Sequence, residues 1–266
     1  MTLHLGWQRV VVLVGYDTVK EALVDQADDF VGRGPVPFIL KVTKGYGLAI
    51  SNGERWRQLR RFTLTTLRDF GMGRKGMEEW IQEESQHLVT HIGTLKEKMQ
   101  QEIDTVIGQE CRPSMEDRKS LPFTDAVIHE VQRFLDIVPL SVPHYALQDI
   151  CFRGYIIPKG TVILPMLHSV LREDKQWATP WSFNPQHFLD QNGNFKKNPA
   201  FLPFSAGKRA CVGESLARME LFLFLVALLQ RFTFSCPGGP DSVDLSPEYS
   251  SFANLPRRHQ IIATPR

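Results

Sequence analysis

The sequence predicts a mainly α-helical protein with small β-sheets, an α+β arrangement in a single domain. Two observations carry this prediction. Apolar residues recur at helical spacing over several long segments, and short β-branched runs bounded by Gly and Pro lie between them. No internal repeat is visible along the 266 residues, and 42% hydrophobic with 23% charged residues is an ordinary globular composition, which excludes wholesale disorder.

In the amino-terminal part, the sequence predicts a strand and two helices. The run Val10–Val14 predicts a short strand, and Asp17 is a candidate N-cap for the short helix that follows. The Gly- and Pro-rich segment Gly32–Pro37 predicts a loop. A longer helix is expected from Asn52 and Gly53 onward.

In the middle of the chain, amphipathic patterns predict further helices. The pattern runs over Met77–Ile92 and again over Leu95–Ile107, which predicts one long helix with a weak point at Gly93. Pro122 predicts the first turn of the next helix, and Pro139 marks its end.

Beyond that helix the pattern changes to short β-like runs, at 150–157 and 161–164. The aperiodic stretch Thr179–Pro203 is too long for an idle connector and is a candidate functional loop. Gly213–Arg231 is apolar nearly all round and predicts a core helix. A final small sheet is expected from two segments, Phe232–Phe234 and His259–Ala263.

Charge and cysteine usage exclude several function classes. The chain has 31 Lys and Arg against 29 Asp and Glu, so its net charge of +2 gives no argument for nucleic acid. No apolar run reaches the roughly 18 residues of a membrane span, and no secretory signal is visible. The 4 cysteines are widely spaced, which argues against a disulfide framework and against zinc.

The sharpest chemical feature is the segment FSAGKRACVG at Phe204–Gly213. A cysteine just before a helix start meets backbone N–H groups and the positive end of the helix dipole, which lower a thiol pKa and hydrogen-bond a thiolate. Gly207 permits close approach of a flat ligand, and Arg209 adds a cation. The segment therefore predicts that Cys211 is a thiolate metal ligand.

The pattern F-x-x-G-x-R-x-C-x-G in this segment resembles that of the cytochromes P450, the heme-thiolate monooxygenases. An accidental match at all specified positions has a probability on the order of one in ten thousand. The resemblance implies heme b, iron protoporphyrin IX, with Cys211 as the iron ligand and Phe204 and Gly207 beside it. Two alternatives are an inert buried thiol and the nucleophile of a thiol hydrolase, although no histidine lies nearby in sequence.

A second signature lies upstream of the cysteine. Glu130 and Arg133 match the family's E-x-x-R pair, and the segment around His187 is similar to its P-x-R-F loop, with histidine in place of arginine. The resemblance implies that these residues form a structural lock beside the heme. Since histidine does not guarantee a positive charge, we expect a weaker lock near neutral pH. Without the cysteine segment, the helical pair would be interpreted as a solvated ion pair.

The resemblance also implies which residues hold the two heme propionates. Trp56 and Arg60, four residues apart on one helix face, match the family's W-x-x-x-R helix. Arg33 matches the arginine of a G-R-G segment, and His144 the histidine beside the heme edge. With Arg209, this set offers three guanidinium groups and two ring N–H donors to two carboxylates.

Two weaker patterns have ordinary interpretations. His87 and His91 have the i, i+4 spacing of zinc ligands but lack the H-E-x-x-H pattern, so a polar helix face is the better interpretation. A basic cluster on the helix of Trp56 could meet an acidic redox partner, with solvation as the default. It contains Arg55, Arg57, Arg60 and Arg61.

The resemblance covers the chain in two pieces. Residues 1–90 resemble the amino-terminal β region and helices A to early D, 91–95 form the join, and 96–266 resemble helix J to the carboxyl terminus with the heme-binding loop. Only 70 positions separate Arg60 from Glu130, whereas complete family members have well over twice that interval. We expect a single partial P450 domain over 1–266 that lacks roughly the D-to-I helix region and the family's amino-terminal anchor.

The missing interval would include the central helix that delivers protons to oxygen, so no catalytic residue is identified. We expect the heme's distal face to be open to water and apolar helix faces to be exposed. Coupled oxygen insertion should then fail, and reduced oxygen should leak as superoxide or peroxide.

The resemblance implies a monooxygenase of apolar small molecules such as xenobiotics, fatty acids or steroids. Phe62–Gly73 and Phe183–Leu189 resemble the mammalian-type family 2 enzymes in particular. The implied partners are NADPH-cytochrome P450 reductase and cytochrome b5, at the endoplasmic reticulum membrane, with a cytoplasmic location as the alternative. The alternative function is a defective splice or partial product that binds heme weakly and competes for redox partners.

Overall fold

The structure is a computed structural model that describes residues 1–35, 41, 43–69, 95–237, 247–250, 253–256 and 260–266. Helices and small sheets alternate in these ranges, which confirms the predicted α+β class. In chain order the elements are β1 (Thr2–Leu5), β2 (Gln8–Leu13), α1 (Tyr16–Lys20), α2 (Gly53–Asp69), α3 (Leu95–Val106), α4 (Pro122–Leu135), β3 (His144–Tyr145), β4 (Ile150–Phe152), β5 (Tyr155–Ile157), β6 (Val162–Pro165), α5 (Leu167–Leu171), α6 (Glu214–Arg231), β7 (Phe232–Ser235), β8 (Pro247–Ser250), β9 (Asn254–Pro256) and β10 (Ile262–Pro265).

Four strands form the largest sheet, in the order β1-β2-β6-β3. The predicted strands at 10–14 and 161–164 are its centre, where Val10 pairs with Val162 in parallel register. The outer strands were not predicted, because β1 is exposed along its whole length and β3 contains only two residues. This sheet holds His144, the first residue of β3, at its edge.

The start of α1 differs from the prediction. Gly15, with φ of 83°, is the N-cap, and Asp17 lies inside the first turn without a capping bond. The carboxylate of Glu173 accepts the Tyr16 N–H at 2.8 Å, and the Ser169 hydroxyl accepts the Gly15 N–H at 2.9 Å. The prediction was wrong because partners more than 150 positions away satisfy this helix start. A π-helical turn, Glu21–Asp25, continues α1.

The longer helices begin where the sequence predicts. α2 starts at Gly53 and α4 at Pro122, the latter with proline in its first turn. α4 ends before Pro139, because Asp136 adopts a left-handed φ of 44°. The segment Leu95–Val106 is helical, whereas the rest of that amphipathic pattern, with His87, His91 and Gly93, lies outside the described residues.

Two apolar cores meet at α4. The first lies between the large sheet, α1 and α5, and contains Phe30 and Trp177. The second packs α3, α4 and α6, with Met99 and Phe222 at its centre. α6 is buried in its carboxyl-terminal half, as the sequence predicts for a core helix, whereas its first turns are only half-buried.

The end of the chain forms the small sheet that the sequence predicts. β7 pairs antiparallel with β10, so that Phe234 lies opposite Ala263. β10 starts later than predicted, and His259 lies outside the described residues. Among the described helices, none has the length and apolar character needed to cross a membrane.

Candidate functional site

Cys211 lies in a short loop that leads into α6. Its backbone N–H donates to the Phe204 carbonyl at 3.0 Å, which closes the loop, and Gly213 is the N-cap of α6. Cys211 is exposed and has no disulfide partner among the described residues. This exposure contradicts the alternative of an inert buried thiol.

Gly207 explains how this loop is seated on the fold. Its φ is +69°, and a Cβ atom there would lie 1.6 Å from the Leu23 carbonyl oxygen. A side chain at this position would therefore displace the loop from the π-helical turn that contains Leu23. The glycine of the sequence pattern thus fixes where the cysteine loop sits.

Arg209 is buried beneath the loop and lies against Trp56 of α2. The centre of its guanidinium is 3.8 Å from the indole ring centroid. Its Nε donates to the Val31 carbonyl at 2.8 Å, and its Nη2 donates to the Ser51 carbonyl at 2.7 Å. These bonds to backbone oxygens orient the guanidinium but leave its charge unpaired.

Two further arginines lie in the same region. Arg33 is buried, and its Nη1 donates to the carbonyls of Val142 and Pro143, next to His144. Arg60 is half-buried and donates from Nη2 to the Ala210 carbonyl at 3.0 Å, one residue before the cysteine. The structure therefore brings together arginines that the sequence places far apart.

Two ring nitrogens in this cluster are buried and have no hydrogen-bond partner among the described residues. They are Nε1 of Trp56 and Nε2 of His144. The other nitrogen of His144, Nδ1, lies at hydrogen-bond distance from the Phe30 carbonyl oxygen and therefore carries the proton. Buried polar atoms normally have partners, so both nitrogens indicate a polar group that is not part of the polypeptide.

The electrostatics of the cluster favour an anion. Burial lowers the pKa of Arg33 to about 10, and burial with repulsion from Arg33 and Arg60 lowers the pKa of Arg209 to about 9. Burial, followed by repulsion from Arg33 and Arg209, lowers the pKa of His144 to about 3. Within the described ranges no carboxylate forms a salt bridge with any of these three arginines, so a bound anion would relieve the repulsion.

The three predicted lock residues contact one another. Glu130 and Arg133 form a two-bond ion pair with both side chains fully buried. Nδ1 of His187 lies 3.1 Å from the Glu130 carboxylate, and Nε2 accepts the Thr179 N–H at 3.2 Å. His187 is thus held as the neutral tautomer with its proton on Nδ1.

Sequence reasoning missed the residue that joins the two buried arginines. The Asn52 side-chain oxygen accepts the Arg33 N–H at 2.7 Å and contacts Nη2 of Arg209 at 3.3 Å. Its side-chain nitrogen donates to the Arg33 carbonyl at 2.7 Å. In the sequence, Asn52 carries only the signal of a helix start, so nothing local indicated this second role.

The class of protein follows from comparison with known families. A sequence model described as Cytochrome P450 matches residues 1–97 and 91–263. The chain therefore belongs to the cytochrome P450 family, whose members are heme-binding monooxygenases.

Particular relatives place the chain near family 2 of these enzymes. It is 34% identical over 423 residues to "Cytochrome P450 2H1" of Gallus gallus, with 100% of this chain and 86% of the relative spanned. It is 33% identical over 425 residues to "Cytochrome P450 2F1" of Homo sapiens, with 100% of this chain and 87% of the relative spanned. The identity to "Cytochrome P450 2C23" of Rattus norvegicus is also 33% over 425 residues, with 100% of this chain and 86% of the relative spanned. This chain is a truncated, family 2-like cytochrome P450. It has 266 residues, whereas its alignments with these relatives extend over more than 420 positions.

Proposed function

We propose that Cys211 ligates the iron of heme b and that the buried cluster holds its two propionates. The observation that carries this proposal is the buried, unpartnered indole N–H of Trp56 beside arginines without carboxylate partners. The residues present fit two carboxylates, because they offer guanidinium forks and an indole donor to anions. The proposed propionate contacts are Arg33, Trp56, Arg60 and Arg209. His144, whose Nε2 carries no proton in this fold and is therefore not the second ring donor that the sequence predicts, would join them by taking up a proton at Nε2, which the negative charge of two carboxylates favours.

The environment of Cys211 supports its role as a thiolate. α6 begins at Glu214, three residues after Cys211, so the positive end of its helix dipole faces the loop. Arg60 adds a positive charge: burial lowers its pKa, and the Cys211 charge partly restores it. When bound, heme supplies oxygen activation, to which a thiolate ligand contributes electron density.

The chemistry that we propose the chain inherits from its family is the oxidation of apolar small molecules, such as xenobiotics, fatty acids or steroids, at the endoplasmic reticulum membrane. Electrons would come from NADPH-cytochrome P450 reductase, with cytochrome b5 as a second partner. The exposed arginines of α2 give an acidic partner a basic surface beside the cysteine loop. They are Arg55, Arg57 and Arg61.

We also propose that this chain binds heme but does not couple oxygen consumption to product formation. The observation that favours this is the difference between 266 residues and the 423 residues of the alignment with the chicken relative. The family match in two segments that meet at 91–97 supports an internal deletion at the expected join, 91–95. A pocket without its distal wall cannot exclude water from the reacting atoms.

Reconstitution with heme and reductase tests this function. We expect NADPH consumption with hydrogen peroxide as the main product and little oxidised substrate. The chicken relative named above, assayed in parallel, is the coupled control. Substrate oxidation that matches NADPH consumption would contradict the proposed uncoupling, and failure to take up heme would contradict the proposed cofactor site.

A further inference from the structure

A buried histidine outside the proposed heme contacts connects α4 to α6. His129 precedes Glu130 on α4 and is 5% exposed. Its Nδ1 lies 2.7 Å from the carbonyl oxygen of Asp125, one turn earlier, and its Nε2 lies 2.9 Å from Nη1 of Arg218 on α6. Both ring nitrogens are therefore occupied.

The partners of His129 define its tautomer. A guanidinium group has only donors, so Nε2 must accept the hydrogen bond from Arg218. The proton is then on Nδ1, where the Asp125 carbonyl accepts it and the Asp125 carboxylate, 3.2 Å away, is a second acceptor. A neutral imidazole thus anchors an arginine, an arrangement that depends on the acceptor at Nε2.

Arg218 connects His129 to the cysteine loop by contacting Phe204. Its guanidinium lies 5.4 Å from the ring centroid of Phe204 and is fixed on its other side by Glu214, at 2.7 and 2.9 Å. The carbonyl of Phe204 is the acceptor for the Cys211 N–H. Arg218 therefore covers the residue that closes the loop of the proposed iron ligand.

Aromatic rings prevent His129 from turning away. Phe188, Phe195 and Phe201 surround the imidazole with centroid distances of 5.3, 4.6 and 5.0 Å. Arg218 also lies 5.1 Å from the ring of Phe201. The imidazole is confined by packing and by two hydrogen bonds, so its acceptor points at a fixed place on α6.

We propose that His129 is a positioning residue that holds the Cys211 loop in place through Arg218. Without the Nε2 acceptor, a partly buried guanidinium donor loses its partner, and Arg218 turns toward solvent. Phe204 then loses its contact with the Arg218 guanidinium. The loop becomes less well ordered, so that the thiolate dissociates from the iron more readily. This inference rests on the proposed function, because it assumes that Cys211 is the ligand.

Three variants of the heme-loaded chain separate positioning from packing. In H129Q the amide oxygen reaches the place of Nε2, in H129N it reaches only the place of Nδ1, and H129L fills the space without an acceptor. After reduction and addition of carbon monoxide, we compare the red-shifted Soret band of the thiolate-ligated carbonyl with the blue-shifted band of a carbonyl that has lost the thiolate. H168Q, which alters a half-exposed histidine bonded to Asp136, is the matched control.

We expect H129Q and H168Q to keep the wild-type ratio of the two bands within about twofold, and H129L and H129N to raise the blue-shifted share about tenfold. The double variant H129L/R218M should be no worse than R218M, because His129 acts through Arg218. A wild-type ratio in both H129L and H129N would overturn the proposal, as would additive effects in the double variant.

A measurement without heme separates this inference from the proposed function. In the folded chain labelled with nitrogen-15 at histidine, Nε2 of His129, assigned by its loss in H129Q, should show a pyridine-like shift and Nδ1 a pyrrole-like shift. The reverse assignment would overturn the positioning role whatever ratio of carbonyl bands the variants show. If the ferrous carbonyl complex of the heme-loaded wild-type chain lacked the thiolate band, the heme-thiolate function would be overturned instead.

Discussion

Glu130 and Arg133, three residues apart on α4, are joined by two hydrogen bonds of 2.7 and 2.8 Å, and both side chains are excluded from solvent. The remaining donors of Arg133 reach the carbonyls of Leu171, Pro180 and Ser182, and Glu130 accepts the Asn184 N–H at 2.7 Å. Although burial raises the pKa of Glu130, bonds from Arg133, His187 and Asn184 outweigh it and leave that pKa lowered. The pair therefore ties α4 to α5 and to the loop beyond it.

Removal of one charge from this pair should strongly destabilise the fold. We expect E130Q to lower the free energy of unfolding by about 3 to 5 kcal/mol, because it leaves a buried guanidinium uncompensated. Urea denaturation of the purified chain measures this change. E54Q breaks a pair of the same spacing, Glu54 with Arg57, in which both side chains are 65% exposed, and should change stability by less than about 1 kcal/mol. Equal effects of the two substitutions would contradict the assigned role.

His187 should stabilise the lock as a neutral group. H187A removes a donor to Glu130 and leaves the Thr179 N–H without its side-chain acceptor, so we expect a loss of about 1 to 3 kcal/mol of unfolding free energy. Urea denaturation of H168A, a variant of the half-exposed His168, provides the control. A loss no larger than in H168A would show that His187 is not part of the lock.

Arg209 should contribute strongly to heme affinity. R209M removes a buried cation and its stacking on Trp56 while keeping an apolar chain of similar length, and we expect heme affinity to fall about 10- to 100-fold. Spectroscopic heme titration measures the change. R55M alters a second arginine stacked on an aromatic ring, 4.4 Å from the Tyr46 centroid, and should leave affinity unchanged. Unchanged affinity in R209M would exclude Arg209 from the proposed propionate site.

The heme-free fold should lose stability as the pH falls because of His144. Its pKa is about 3 in the fold against an ordinary value of 6.5, so between these pH values the unfolded chain binds one more proton. For this group alone, the free energy of unfolding falls by up to about 1.4 kcal/mol per pH unit below pH 6.5. H144N keeps a donor toward the Phe30 carbonyl but does not titrate, and should show a shallower slope in denaturation series. Identical slopes would contradict the buried neutral imidazole.

The parts of this fold that could be predicted from sequence are those that depend on local chemistry. Pro122 sets the start of α4, and the glycine and cysteine pattern around Cys211 indicates its loop. What could not be predicted depends on distant partners. Glu173 replaces Asp17 at the start of α1, and no local signal distinguishes such long-range contacts.

The site shows the same division between local and distant contacts. Its arginines and Trp56 were identified by motif, but their unpaired charges and unpartnered nitrogens only became visible when the folded chain placed them side by side. Asn52 and His129 act between elements far apart in the sequence, and each has a common local role that hides the second one.

The central claim, that Cys211 is the thiolate ligand of heme iron, is tested most directly by the ferrous carbonyl spectrum of the heme-loaded chain. We predict the red-shifted Soret band of a thiolate-ligated carbonyl in the wild-type chain and its loss in C211A, with C151A, which alters another exposed cysteine, as the unchanged control. The same red-shifted band in C211A, or its absence from the wild-type chain after heme uptake, would contradict the claim.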